Sequence, residues 1–427
     1  MSVELLAPAG SLAMLSAAIA FGADAVYAGQ PRYSLRARNN EFGSLDTLAK
    51  GVEMARTAGK SFYLVSNLLP HNAKLTTWRR DMEAAIALRP DALIMSDPGL
   101  IDLAREAWPE MPIHLSVQAN TLNWAAVRFW QKLGIARVIL SRELTFEEIA
   151  EIRAQCPEIE LEVFVHGALC IAHSGRCLLS GYFNHRDANQ GVCTNACRWR
   201  YRVAPAEEDA TGALAPVLLE ETSRPGEWMP LEEDEHGSYI LNSRDLCAIE
   251  HVARLMAIGV NSLKIEGRTK SAYYVARTCQ NYRAAVDDAC AGRPFNPLLK
   301  VALENLAQRG YTDGFYQRHV PHRPADYQNY ERGHSASEKS QYVGDAARFE
   351  PERKLMEITV KNRFAVGDRL EIVHPEGNCV MTVERMENAE GVPLQVAPGA
   401  GHRVWLPMSA THAGAFLARF FNTTCAG

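Results

Sequence analysis

The chain predicts a (β/α)8 TIM-like barrel followed by a small C-terminal all-β barrel domain, and three observations carry that prediction. Eight short apolar runs alternate with helical patterns over residues 1–340, the runs lack the in-out alternation of a one-sided sheet, and the pattern changes character near residue 341. Strands buried on both faces read as continuous Val, Ile and Leu, and helices between them supply parallel crossovers.

The runs follow in order. ELLAPAG (4–10) opens the series, the helical SLAMLSAAIAFGA comes next, and DAVYAG (24–29) is the second strand. SFYLVSN, DALIMSD, IHLSVQAN, RVILSREL and LEVFVHGAL continue the rhythm, and SLKIEGR (262–268) completes it. A doubly wound open sheet is the alternative, disfavoured because no G-x-G-x-x-G opens the first crossover. An acidic stretch rich in Pro and Gly, 205–237, separates RYRVAP from SYILNS, and those flanks read as a hairpin around an exposed excursion. Past residue 341, QYVGDAARFE, KLMEITVKN, DRLEIVHP, CVMTVERM and HRVWLPM run short or alternate between Gly, Pro and Asn, the habit of a small β-barrel. The expected domains are therefore 1–340 and 341–427.

Composition bounds the function. With 427 residues, 47% hydrophobic and 22% charged, the chain should bury a substantial core. A formal charge of -5 excludes a wholly basic nucleic-acid coat and leaves room for local basic patches. No apolar leader follows Met1 and no run of 18 apolar residues suggests a span, so a cytoplasmic protein away from membranes is expected.

That compartment disfavours disulfides among the ten cysteines. Cys156, Cys279, Cys290, Cys379 and Cys425 are scattered and read as small buried hydrophobes. Cys170, Cys177, Cys193 and Cys197 instead fall at C-x6-C-x15-C-x3-C in one segment rich in Arg, Asn and Gly. Clustered thiols point to a soft-metal centre. Iron-sulfur is favoured over zinc, because structural zinc sites use paired short knuckles and only one pair here is close. Cys247, in NSRDLCAIE, is a fifth candidate ligand.

In a barrel the strand C-termini face the active site. Asn67, Asp97, Gln118, Asn120, Arg142, Glu143, His166, Glu266 and Arg268 end or follow apolar strands, and Glu143, His166 and Arg268 are the catalytic candidates. Basic residues gather at Arg32, Arg36 and Arg38, at Arg176, Arg186, Arg198, Arg200 and Arg202, and at Lys264, Arg268 and Lys270. They suggest an anionic ligand, with Arg36, Arg198, Arg200, Lys264 and Arg268 as its contacts. The cysteine segment leaves the seventh strand just past His166, which would set it over the barrel mouth.

ELLAPAGSLAMLSAAIAFGADAVYAG, FVHGALC, SGRCLLSGY, CTNACRWRY, ILNSRDLC and SLKIEGRTKSAYYVARTCQNYR resemble the U-32, or collagenase-like, peptidase family, and the likeness runs nearly end to end. PRYSLRARNNEF, NLLPHNAKL, DALIMSDPGLI, MPIHLSVQANTLNWA and RGYTDGF are most similar to its tRNA-hydroxylating branch. The resemblance implies a 4Fe-4S cluster on Cys170, Cys177 and Cys193, with Cys197 or Cys247 as fourth ligand. It also implies 5-hydroxylation of the tRNA wobble uridine with prephenate required, and an electron donor or Fe-S assembly proteins as partners. Phosphates would meet the basic residues, and an exposed uracil could stack on Tyr182, Phe183 or Trp199. The family name offers a peptidase as the alternative, but neither H-E-x-x-H nor G-x-S-x-G occurs. A third reading is a noncatalytic iron-sulfur scaffold in RNA or quinone hydroxylation.

Overall fold

The computed structural model describes residues 3–35, 41–169, 201–204, 217–221, 228–231, 244–308, 310–317 and 339–421. Eight parallel strands close into a barrel. They are β1 (Glu4–Pro8), β2 (Ala25–Gly29), β3 (Ser61–Ser66), β4 (Ala92–Met95), β5 (Ile113–Leu115), β6 (Arg137–Ile139), β7 (Glu160–Ala168) and β8 (Ser262–Ile265). Strand β8 pairs with both β1 and β7, which seals the ring.

Each crossover holds a helix: α1 (Leu12–Ala20), α2 (Leu45–Thr57), α3 (Asn72–Ile86), α4 (Pro98–Ala107), α5 (Trp124–Lys132), α6 (Phe146–Gln155) and α7 (Val252–Ile258), with α8 (Ala272–Cys290) after β8. Their starts are chemically marked. Ser11, Ser44, Asn123 and Ser271 each accept a hydrogen bond from a first-turn amide, and Thr145 with Glu148 forms a reciprocal capping box. Gly259, with φ +94°, ends α7 in the left-handed conformation before the turn into β8.

The strands at 113–115 and 137–139 are shorter than their apolar runs, since residues 117–119 form a 3-10 turn closed by left-handed Asn120. The acidic stretch, expected as an excursion between RYRVAP and SYILNS, is itself partly sheet. Tyr201–Ala204 pairs with Val217–Glu221, which pairs with Trp228–Leu231, so two strands come from within the acidic stretch; residues 238–243 lie outside the described ones. VLLEE and WMPL supply enough β-forming side chains to pair locally.

From Ser340 the chain forms an eight-stranded antiparallel sheet. Its end strands, Cys379–Thr382 and Pro393–Leu394, do not pair among the described residues, so this is a half-barrel rather than a closed one. It encloses an apolar core that includes Val343, Ile358, Leu370, Val404 and Leu406. Helix α8 carries the contact with the barrel: Tyr273 stacks on Tyr342 at 4.8 Å, and buried Arg277 pairs with Glu371 at 2.9 Å.

Of the cysteines expected to be buried, Cys156 and Cys279 are, whereas Cys290 and Cys379 are exposed and Cys425 lies outside the described residues. Cys290 is the last residue of α8 and Cys379 sits on an edge strand, where apolar character is no guide to burial.

Candidate active site

The barrel is lined by charge. Glu4 on β1, Arg137 on β6, Glu162 on β7 and Lys264 on β8 come from four neighbouring strands, and their side chains meet inside. Lys264 Nζ lies 2.6 Å from Glu162, whose carboxylate is fully buried, and Arg137 reaches Glu162 at 3.2 Å and Glu4 at 2.5 Å. Tyr63 and Ser262 donate to Glu4 at 2.6 and 2.8 Å. Burial drives the Lys264 ammonium below its ordinary pKa although Glu162 opposes the shift. Burial likewise works against the Arg137 charge, but Glu162 and Glu4 outweigh it and raise its pKa.

Toward the mouth this network meets Tyr27. Lys264 Nζ sits 4.4 Å from the centre of its ring and the Arg268 guanidinium 5.8 Å from it. Burial, then the Glu266 carboxylate, pushes the Tyr27 phenol up, and its hydroxyl donates to the Ile265 carbonyl at 2.8 Å. Arg142 lies 4.0 Å over the Phe164 ring and donates to the Ala168 carbonyl at 2.9 Å. The turns that carry these groups approach closely: a β-carbon on Gly10 would lie 1.9 Å from the Arg268 carbonyl oxygen.

The other mouth residues divide into structural and available groups. Asp97 caps α4 through the Leu100 amide, a structural task. Asn67 donates to Ser116 and Gln118 at 3.2 and 2.9 Å and accepts from the Leu35 amide, so three loops are tied across the mouth. Ser141 donates to Glu143.

His166 is not at the mouth. Alternation after Glu162 and Phe164 would turn it inward, but the β7–β8 register shifts at this point and its ring packs outside the barrel against Tyr274 and Tyr282 of α8 and against Tyr311. Burial lowers its pKa to about 3, and Nε2 has no hydrogen-bond partner among the described residues. A catalytic role for His166 is therefore not what its position supports. Lys264, expected as a ligand contact, is instead buried in its ion pair.

Cys247 is the one metal-ligand candidate among the described residues; Cys170, Cys177, Cys193, Cys197, Arg36, Arg198 and Arg200 lie outside them. Its strand, Asp245–Cys247, pairs antiparallel with the end of β7, Asp245 opposite Ala168 and Cys247 opposite His166. The cysteine-bearing segment begins beyond that end. Burial pushes the Cys247 thiol up to about 12. It is a neutral thiol as it stands, and a bound cation would have to replace its proton.

Reasoning from sequence missed Tyr27, Glu162, Arg137 and Glu4. For the three charged residues the available signal was a charge within the apolar runs ELLAP, RVI and LEVFV.

Among the described residues no helix is long and apolar enough to cross a membrane. The model of Peptidase family U32 matches residues 10–325, and that of the Peptidase family U32 C-terminal domain matches 338–419. The tRNA hydroxylation protein P of Escherichia coli (strain K12) is 57% identical over 95% of this chain and 93% of its own. Its namesake from Haemophilus influenzae is 52% identical over 94% and 92%. A collagenase of Porphyromonas gingivalis is 29% identical over 95% and 94%. With both parts of the chain matched, this protein belongs to peptidase family U32.

Proposed function

We propose that this protein is a cytoplasmic tRNA hydroxylase that forms 5-hydroxyuridine at the wobble position, with prephenate required and a 4Fe-4S cluster held by four of Cys170, Cys177, Cys193, Cys197 and Cys247. The observation that carries the reading is the likeness to tRNA hydroxylation proteins over almost the whole length of both chains, at nearly twice the identity shown to the collagenase. The mouth chemistry agrees with it. Arg142 and Arg268 place positive charge where an anionic co-substrate or a phosphate would enter, while Ser116 and Ser141 hydrogen-bond Gln118 and Glu143 rather than a histidine base.

The donor chemistry fits the cluster. Five thiols are available, and the described one lies in a dry setting beside the strand end from which the others emerge. Bound there, the cluster would supply one-electron chemistry, with an electron donor and Fe-S assembly proteins as partners. The chain's own residues would bind and orient: Arg268 and Arg142 at the mouth, with Tyr27 held rigid and protonated between Lys264 and the Ile265 carbonyl.

A deletion strain complemented with wild-type and Cys177→Ala chains provides the test, read by nucleoside analysis of bulk tRNA and by iron content of the purified proteins. Wild type should restore 5-hydroxyuridine-derived nucleosides and hold about four irons per chain, and the variant should do neither. Unchanged nucleosides in the deletion, with no parallel route active, would sink the activity; rescue by an iron-free variant would sink the cluster's part in it.

A further inference from the structure

A cleft of about 460 Å³ opens where the barrel meets the C-terminal half-barrel. We propose that it is a second nucleotide subsite, which holds an unstacked nucleotide of the tRNA beside the one presented to the mouth. The inference rests on the tRNA reading above and deepens it.

The cleft's chemistry selects this occupant. Lys270 is its charged lining group, and no carboxylate lines it among the described residues. Its floor includes the start of α8, where the first-turn amides favour an anion beside the lysine. Tyr342 and Phe421 supply aromatic surface, and the Tyr342 ring is already fixed by its stack on Tyr273. Asn305, Gln341 and Asn362 also line it; the Asn362 amide donates to the Tyr342 carbonyl at 2.7 Å, and the Gln341 amide oxygen accepts from Arg419 at 3.2 Å. A cation for phosphate, a ring face for stacking and amides for a base edge are what an unstacked nucleotide requires. The volume lies in the range of small-ligand pockets.

The cleft is also joined to the mouth by one short turn. Glu266–Ser271 carries Arg268 to Tyr27 on one side and Lys270 into the cleft on the other. That turn is rigid. Tyr274 donates to the Glu266 carbonyl at 2.9 Å, the Lys270 amide donates to Gly267, and a β-carbon on Gly267, at φ +153°, would lie 2.5 Å from the Tyr274 ring. A strand crossing the mouth therefore meets the cleft at a fixed offset, and the C-terminal half-barrel becomes part of the substrate site rather than an appendage.

The test uses the full-length, cluster-reconstituted protein and fluorescently labelled tRNA in an anisotropy titration over several salt concentrations. Lys270→Glu should weaken binding about tenfold and reduce the salt slope by about one. Ala307→Trp, which fills the cleft without changing charge, should raise the KM for tRNA and leave kcat near wild type. Lys354→Glu, on the half-barrel away from the cleft, should bind as wild type, and circular dichroism melts should match for all three. Wild-type affinity in both cleft variants would overturn the subsite while leaving the function standing, and so would equal weakening by Lys354→Glu. Failure of the wild-type protein to bind tRNA would overturn both.

Discussion

Inside the barrel, Arg137, Glu162 and Lys264, with half-buried Glu4 beside them, occupy positions of the kind that the C-terminal half-barrel gives to Val343, Ile358, Leu370 and Val404. Both interiors exclude water, yet one is filled with ions and the other with hydrocarbon. Well-packed apolar residues usually replace a buried ion pair at no loss of stability, and often with a gain. A barrel that retains four strands' worth of charge is therefore not optimised for stability there. Its upper end reaches the mouth, where Lys264 and Arg268 both lie against the Tyr27 ring.

The comparison fails if the ions behave like packing. Lys264→Met should cost about 3 kcal/mol in urea denaturation, because it leaves the fully buried Glu162 carboxylate with only its longer contact to Arg137. Adding Glu162→Leu should recover most of that loss without recovering tRNA hydroxylation; simple additivity of the two single losses would break the argument. In the half-barrel, Ile358→Ala should cost about 3 kcal/mol through the cavity it leaves, and no second substitution across the sheet should rescue it. Hydroxylation per folded molecule should persist below the melting temperature.

Acid sharpens the contrast, since the barrel holds His166 and His114 buried and both are kept neutral, first of all by burial. A folded-state pKa lowered below the unfolded value gives stability that is complete above about pH 6.5 and declines as pH falls toward the folded pKa, because the unfolded chain takes up the proton first. For His166, lowered to about 3, the loss by pH 4.5 should be about 2–3 kcal/mol. His166→Phe should flatten the pH dependence of the urea midpoint between pH 6.5 and 4.5; an unchanged slope would show that the imidazole is not held neutral. At the small end, Arg254→Ala, which breaks an exposed pair with Glu147, should leave the urea midpoint close to that of wild type.

The order of strands and helices was legible because two-sided burial writes itself as unbroken apolar runs with Ser, Thr, Asn or Asp at the helix starts. The interior pairs were not, since Glu162 and Lys264 meet only after the barrel closes and nothing local marks them as partners. His166 shows the same limit: its inward alternation is undone by a register shift between two strands about a hundred residues apart in sequence. Whether the C-terminal sheet closes depends on pairing between its end strands, which their short, edge-like sequences do not reveal. Tyr27 was hidden by type, as tyrosine is unremarked in a strand and becomes distinctive only between two cations.

The outer half of β7 binds the returning strand, with Ala168 opposite Asp245. Everything between 169 and 244 thus departs and comes back through two residues that already face each other across a ladder. Doubling the length of that segment would add only about 0.6 kcal/mol of closure entropy. Selection can therefore lengthen or replace that connection, or an engineer can exchange it for a relative's, while the eight-stranded scaffold keeps its own register.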